Sequence, residues 1–148
     1  MSAAGPSPLS LLAFDYGLRH IGVAVGQRLI SSASPLVVIK ARDGVPDWQH
    51  IEKIIREWQP DLLLVGLPLH MDGTDSPMSG RARKFARQLE GRFNKCVDMV
   101  DERLSSFAAK QDRREHAGDL DFGSHTVDAE AAVIILQDWY RRDAWAIT

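Results

Sequence analysis

A continuously apolar run, DLLLVGLPL at residues 61–69, lies between two stretches whose apolar residues recur every three or four positions. Such a run is typical of a parallel strand buried on both faces, and parallel strands need helical crossovers between them. The chain is therefore constrained to an α/β sheet covered by helices. The residues that define the two helices are Trp48, Ile51, Ile54, Ile55 and Trp58 before the run, and Met78, Ala82, Phe85, Leu89 and Phe93 after it.

The remaining elements are predicted from similar patterns. Residues 10–16, 20–27 and 35–41 have strand character, and the short links between them predict an antiparallel meander. Residues 95–102 predict a further strand, and 105–118 and 126–142 predict helices. The order βββαβαβαα indicates an α/β fold with a mixed five-stranded sheet: a three-strand antiparallel meander, then parallel strands, flanked by helices. Ligands of such sheets gather at the carboxyl ends of the strands.

Length and composition limit the organisation. The 148 residues predict a single domain at 10–142, with a disordered lead-in at 1–9 and a C-terminal tail at 143–148. The net charge of −2 provides no global basic field, so nucleic-acid binding requires a local patch. The single cysteine excludes an internal disulfide and any multi-cysteine metal site. With no evident targeting signal or membrane-length apolar run, a cytoplasmic protein without a membrane partner is expected.

Carboxylates end or begin several of these elements. Asp15 ends the first strand, Asp101 and Glu102 end the strand at 95–102, and Asp128 opens the final helix on the face that packs against the sheet. Carboxylates from such distant segments are the hard oxygen ligands that Mg²⁺ and Mn²⁺ prefer. Because side chains alternate along a strand, Asp101 and Glu102 face opposite ways and only one of them reaches a shared site.

Each of these acids also has a structural interpretation. Asp15 precedes Tyr-Gly and is a plausible turn residue. Asp128 near a helix N-terminus complements the helix dipole. Glu102 is followed by Arg103, with which it could form a surface ion pair.

Four motifs resemble one family. FDYGLRHIGVAVG, VGLPLHMDG, DERLSS and VDAEAAVIILQ are similar, in this order, to the YqgF (RuvX) family of Holliday-junction-resolvase-like proteins, also described as pre-16S rRNA nucleases. The likeness covers residues 11–140 and implies an RNase H-like fold. It also implies that Asp15, Glu102 and Asp128 are the catalytic acids and the ligands of Mg²⁺ or Mn²⁺, with two ions expected. The resemblance thus selects Glu102 over Asp101.

Two positions depart from the family pattern. His125 stands where members often have a lysine or another basic residue before the last Asp, and His70 stands where Asn is common. His125 is a candidate for a phosphate contact or proton transfer, with a structural histidine as the alternative.

A local basic patch is predicted on the second helix. Its cations are Arg81, Arg83, Lys84 and Arg87, on the flank opposite Phe85 and Leu89. Phosphate contact is the functional interpretation, and an ordinary solvated helix face is the alternative. Arg19 and Arg103 are further candidates, because each lies beside one of the acids.

The resemblance implies a metal-dependent endonuclease acting on structured nucleic acid, most specifically at the 5′ end of precursor 16S rRNA. The alternatives are a junction-resolving DNA nuclease and a non-catalytic RNA- or ribosome-binding factor. An ATP-binding protein of the actin and sugar-kinase type also opens with an Asp-x-Gly hairpin, but that architecture needs two such domains. Both a monomer and a homodimer are compatible with the sequence.

Overall fold

The computed structural model describes residues 10–102 and 124–147, and within the second segment the side chains of residues 129–142. Six strands form one sheet in the order β4-β3-β2-β1-β5-β6. The elements are β1 (Ser10–Asp15), β2 (His20–Gln27), a 3₁₀ turn (Arg28–Ile30), β3 (Ser34–Arg42), β4 (Val45–Pro46), α1 (Trp48–Trp58), β5 (Leu62–Leu67), α2 (Pro77–Phe93), β6 (Val97–Asp101) and α3 (Ser124–Ile147).

The strand pairing confirms the predicted mixed α/β sheet. β1, β2 and β3 pair antiparallel as a meander, whereas β5 pairs parallel with both β1 and β6. The helices α1 and α2 lie in the connections that lead to β5 and β6, as parallel pairing requires.

The predicted five-strand count is wrong, because a short β4 adds a sixth strand at the edge. Asp43 and Gly44, with φ of 50° and 84°, form a two-residue hairpin turn, and Arg42 pairs with Val45 across it. Asp-Gly is a strong hairpin signal because both central residues of this turn need positive φ. The strand was missed because it is only two residues long and contains Pro46, which edge strands tolerate.

The final helix is longer than predicted, since it begins at Ser124 and ends at Ile147 rather than spanning 126–142. The predicted helix at 105–118 and the predicted lead-in at 1–9 lie outside the described residues. The division into a domain and a tail stays a prediction.

Two apolar clusters cover the two faces of the sheet. On one face, Leu12 and Phe14 of β1 pack with α1 and α2. On the other face, Leu11 and Ala13 pack with Ala132, Ile135 and Leu136 of α3. Because side chains alternate along β1, successive residues feed the two clusters in turn. We call these the α2 face and the α3 face of the sheet.

Local signals set the helix limits. The Asp47 side chain accepts a hydrogen bond from the backbone N–H of His50 at the start of α1, and Ser76 does the same for Ser79 at the start of α2. Gln59 and Asn94 end these helices in the left-handed conformation. Among the described residues, none of the helices has the length and apolar character needed to cross a bilayer.

Candidate active site

Asp15 is a buried carboxylate at the carboxyl end of the central strand β1. It pairs with Gly22 of β2 and its residue is 6% exposed. Leu11 and Ala13 lie in the cluster under α3, so the alternation of β1 assigns Asp15 to the same face. The edge of the α3 face therefore carries an acid in place of an apolar side chain.

Glu102 is a second buried acid at the same end of the sheet, 4% exposed. Its backbone N–H donates to the carbonyl of Leu67 at 3.3 Å, which extends the β5–β6 pairing by one residue beyond β6. The preceding residue, Asp101, is half-buried within β6. Asp15 and Glu102 each interact with at least one other group, so neither residue is without a partner.

Gly66 of β5 makes room for the Glu102 carboxylate. A Cβ at Gly66 would lie 2.8 Å from Oε2 of Glu102 and 2.6 Å from Cδ1 of Ile135 on α3. Phe14 of β1 pairs with Val65 of β5, and the two strands are parallel. The next residue on each strand, Asp15 and Gly66, therefore lies at the same level of the sheet. The missing side chain thus lets the Glu102 carboxylate lie over the strand next to Asp15.

Sequence reasoning missed this role of Gly66. A glycine inside a buried apolar strand signals a close approach by another group, because it weakens the strand otherwise. The signal was present in LLLVGL, but nothing in the sequence says which group makes the approach.

Asp128 lies in the first turns of α3, and its side chain is outside the described residues. Ile135 packs over Gly66, while Tyr140 reaches the carbonyl of Ser32 at the opposite end of the sheet. α3 therefore runs away from the end that carries Asp15. Since Asp128 precedes Ile135 by seven residues, about 10 Å of helix, its backbone is on the acidic side of Gly66.

The donor chemistry of the described acids fits a hard divalent cation. Asp15 and Glu102 supply carboxylate oxygens at one strand edge, and Gly66 provides the space for one of them. Within the described residues no cluster of three His, Cys, Asp or Glu side chains is present. The Asp128 side chain lies outside that part of the chain.

The predicted basic patch on α2 is divided in two. Arg81 and Lys84 line a pocket with the β3–β4 turn, whereas Arg83 and Arg87 border a groove floored by Val97 and Met99 of β6. The prediction of a single flank is therefore wrong. The division arises because α2 lies on the sheet through Ala82, Phe85, Ala86 and Leu89, which separate the two sets of cations.

The other predicted cations lie in different settings. Arg83 forms an ion pair with Asp75 at 3.0 Å. Arg19 is exposed in the β1–β2 turn, and its carbonyl accepts a hydrogen bond from Ala41 at 2.8 Å. Arg103 lies outside the described residues, as does the side chain of His125, whose backbone is in α3.

Tyr16 links the acidic end of β1 to the α2 face. Its ring packs on Phe85 at 5.0 Å between centroids, and its hydroxyl donates to the carbonyl of Gly44. Burial raises the pKa of the Tyr16 hydroxyl, and the nearby Arg81 opposes that rise. The phenol therefore stays protonated and serves as a donor to the hairpin turn.

The loop between β5 and α2 contains His70, an exposed residue whose carbonyl and amide bond to Gly73 and Thr74. Asp72 accepts from the hydroxyl and the backbone N–H of Thr74, and these bonds hold the pKa of Asp72 below its usual range. The hydroxyl of Ser76 donates to the carbonyl of Pro68, which joins the two ends of the loop.

The fold and the buried acids define the class of protein: an RNase H-like domain of the kind found in junction-resolving nucleases. RuvC from T. thermophilus, solved in complex with a Holliday junction substrate, matches with a TM-score of 0.55 at 16% identity, covering 92% of this chain and 96% of that one. The fowlpox virus Holliday junction resolvase matches with a TM-score of 0.52 at 15% identity, covering 91% and 99%. At these identities the likeness shows the fold.

The family follows from sequence. The family model described as "RuvX: Holliday junction resolvase" matches residues 9–142. A Marinobacter nauticus protein named "Putative pre-16S rRNA nuclease" is 52% identical over 139 residues, covering 94% of this chain and 97% of that protein. A Pectobacterium carotovorum protein of the same name is 51% identical over 131 residues, covering 88% and 94%.

The chain belongs to the RuvX family, which confirms the resemblance seen in its motifs. By its family it is a nuclease, a hydrolase of phosphodiester bonds.

Proposed function

We propose that this chain is a divalent-metal-dependent endonuclease of structured nucleic acid, and that its substrate is the 5′ end of precursor 16S rRNA. The observation that carries the proposal is the Glu102 carboxylate lying over Gly66, on the strand beside the one that ends in Asp15. The RNA substrate is supported by the names of relatives that are about half identical over most of their length.

The three acids have distinct places in this proposal. Asp15 would be the central ligand, because it ends the central strand, where pairing with β2 holds the backbone in place. Glu102 and Asp128 would complete the set of residues that hold Mg²⁺ or Mn²⁺, with two ions expected. Bound ions would supply activation of a water and stabilisation of the leaving oxygen.

The chain's own residues position the substrate. Asp15 and Glu102 are buried, so their carboxylates are fixed before substrate binds. Arg19 in the β1–β2 turn and Arg103 next to Glu102 are proposed phosphate contacts by their places in the chain. Arg81, Arg83, Lys84, Arg87 and His125 extend this role along the helices.

A second candidate is cleavage of branched DNA, which the description of the family favours. RNA processing needs one active site, whereas resolving a junction needs two cuts. A homodimer would accompany the second function, and a monomer suffices for the first.

The test is a cleavage assay with pure protein and Mg²⁺ or Mn²⁺ on two substrates, a precursor 16S rRNA 5′ fragment and a four-way DNA junction. Wild type should cut the RNA only when metal is present. Asp15→Asn should lower the rate at least about 100-fold, because a fixed metal ligand is lost. The matched control is Glu57→Gln, an exposed acid of α1, which should cut at the wild-type rate.

The outcomes separate the alternatives. Cleavage of the junction alone would replace RNA processing by the resolvase function. Cleavage of neither substrate, with binding retained, would overturn the nuclease mechanism in favour of a binding factor. Full activity in Asp15→Asn would show that the acids are assigned wrongly.

A further inference from the structure

A small pocket lies on the α2 face at the end of the sheet that carries Asp15. It has a volume of about 120 Å³ and is closed on one side by the β3–β4 turn and on the other by α2. Its side chains combine two aromatic edges with polar groups: Tyr16, Trp48, Asp43, Arg81, Lys84 and Gln88.

The turn that forms one wall is fixed in position. Tyr16 donates to the carbonyl of Gly44, and the backbone N–H of Gly44 donates to the carbonyl of Leu18 at 2.9 Å. The backbone N–H of Ala41 donates to the carbonyl of Arg19 at 2.8 Å. These bonds tie the β3–β4 turn to the β1–β2 turn, so the wall needs no ordering when a ligand binds.

Gly44 leaves room for the Tyr16 hydroxyl at this wall. Its φ of 84° is in the left-handed region, and a Cβ there would lie 2.8 Å from the Tyr16 hydroxyl. The same Cβ position is 3.4 Å from Nη1 of Arg81, which is ordinary van der Waals contact. The guanidinium of the exposed Arg81 therefore lies beside the turn.

The pocket has a net positive charge. Arg81 and Lys84 supply two cations against the single carboxylate of Asp43. Other cations of α2 are engaged, since Arg83 pairs with Asp75 and Arg92 lies 4.2 Å over the ring of Trp48. Within the part of the chain that the structure describes, neither Arg81 nor Lys84 forms an ion pair.

Both aromatic rings of the pocket also pack into the core. The ring of Trp48 lies 5.8 Å from that of Phe85 between centroids, with the Arg92 guanidinium 4.2 Å from the Trp48 centroid, and the ring of Tyr16 lies 5.0 Å from that of Phe85. Arg81 and Lys84 supply the charged groups of the pocket, and two cations suit an anion such as a phosphate.

Position relates this pocket to the buried acids. Tyr16 directly follows Asp15, so alternation places the two residues on opposite faces of the same strand end. The pocket and the buried acid therefore lie at one end of β1, on the two faces of the sheet.

We propose that this pocket binds one phosphate group of the nucleic acid, away from the bond that is cut. The inference rests on the proposed nuclease function, which it refines by assigning a second phosphate subsite to Arg81 and Lys84. Arg83 and Arg87 are not part of this subsite. The phosphate is either an internal diester of the strand or a terminal 5′ monoester.

The test measures RNA binding by the full chain in the Asp15→Asn background, in which cleavage is expected to be at least about 100-fold slower. The probe is a single-stranded RNA with a 3′ fluorophore, titrated at several salt concentrations in Mg²⁺. Arg81→Gln with Lys84→Gln should lower the affinity about tenfold, the loss of one charge-assisted contact. It should also reduce the slope of log K against log salt by about 0.7, the value for one phosphate.

The control variant is Lys53→Gln with Arg56→Gln. Both residues are exposed on α1, and the two substitutions remove the same amount of charge as those in the pocket. It should leave the affinity close to that of the Asp15→Asn parent. Equal losses in both double variants would overturn the proposal, because a nonspecific charge effect would then explain them. Unchanged affinity and slope in the pocket variant would overturn it as well.

Two RNAs of one sequence distinguish the sources of the phosphate. If the pocket binds a terminal monoester, the loss should be confined to the RNA with a 5′ phosphate. If it binds an internal diester, RNAs with a 5′ phosphate and a 5′ hydroxyl should lose affinity equally. The readout is binding, and the probe is checked for cuts by electrophoresis after each titration. Cuts in the Asp15→Asn protein would count against the proposed metal site, whereas a loss of affinity confined to the pocket variant would support the subsite.

Discussion

At the carboxyl end of β1, the two faces of the sheet differ in charge and in packing. The α3 face buries Asp15 and Glu102 beneath a helix whose inner surface includes Ala131 and Ala132. The α2 face instead has an aromatic cluster, with Arg81 and Lys84 lining a pocket beside it. Adjacent residues Asp15 and Tyr16 therefore enter opposite environments.

The difference shows how each face makes space for polar groups. On the α3 face, the missing side chain of Gly66 admits a carboxylate at close range. On the α2 face, Phe85 packs against Phe14, Tyr16 and Trp48 and holds the helix that carries Arg81 and Lys84. The acidic site depends on the close approach of the Glu102 carboxylate to Gly66. The basic pocket depends on the aromatic packing that holds α2 on the sheet.

The largest expected effect is on the aromatic side of this comparison. Phe85→Ala should lower the free energy of unfolding by about 3–5 kcal/mol, because it leaves a cavity at a residue that is 1% exposed. Urea unfolding monitored by circular dichroism measures this. Phe85→Leu is the control and should lose less. A loss below about 1 kcal/mol would show that the cluster collapses around the gap and does not hold α2.

The next effect is on the acidic side. Gly66→Ala should lower the free energy of unfolding by about 1–3 kcal/mol, since its Cβ would press on Ile135 and Glu102. Displacement of the carboxylate should also slow metal-dependent cleavage about 100-fold. Urea unfolding and the RNA cleavage assay measure the two effects.

Gly91→Ala is the matched control for that variant, because nothing lies within 4 Å of a Cβ at Gly91 on α2. It should stabilise the helix by about 0.5–1 kcal/mol and leave cleavage unchanged. If Gly66→Ala behaved like Gly91→Ala, the close approach of Glu102 would not matter for the reaction.

The smallest effect is in the loop between β5 and α2. Thr74→Val removes the hydroxyl that donates to Asp72, so the pKa of Asp72 should rise toward its ordinary value of 3.8. Since the bonds favour the ionised form, their stabilisation is complete above pH 3.8 and disappears as the pH falls through the lowered pKa. An NMR titration of the side-chain carboxyl measures the shift. Thr74→Ser keeps the hydroxyl and should keep the low pKa.

Much of the fold could be predicted from local periodicity. The alternation in β2 and the apolar run of β5 gave strands with nearly the observed limits, and the helical spacing in α1 did the same. β4 could not be predicted this way, because two residues are too few to show a period. Its only local signal was the Asp-Gly turn.

The candidate site was predicted only in part. The place of Asp15 at the end of a buried strand followed from the sequence, whereas the choice of Glu102 over Asp101 came from family resemblance. The division of the α2 cations was open to prediction from helical spacing, since about 100° per residue turns Arg83 away from Arg81. Which elements flank each pair depends on how α2 packs on the sheet. The roles of the three acids stay predictions that the cleavage assay addresses.

The sequence by itself determined that β1 is a buried strand that ends in Asp15, because an apolar run of strand length closed by a carboxylate is a local property. Only the tertiary structure decided that Gly66 receives the Glu102 carboxylate and that Arg81 meets the Gly44 turn. Both contacts join segments far apart in the chain. Their distances are set by how helices and turns pack on the sheet, and no local pattern encodes that packing.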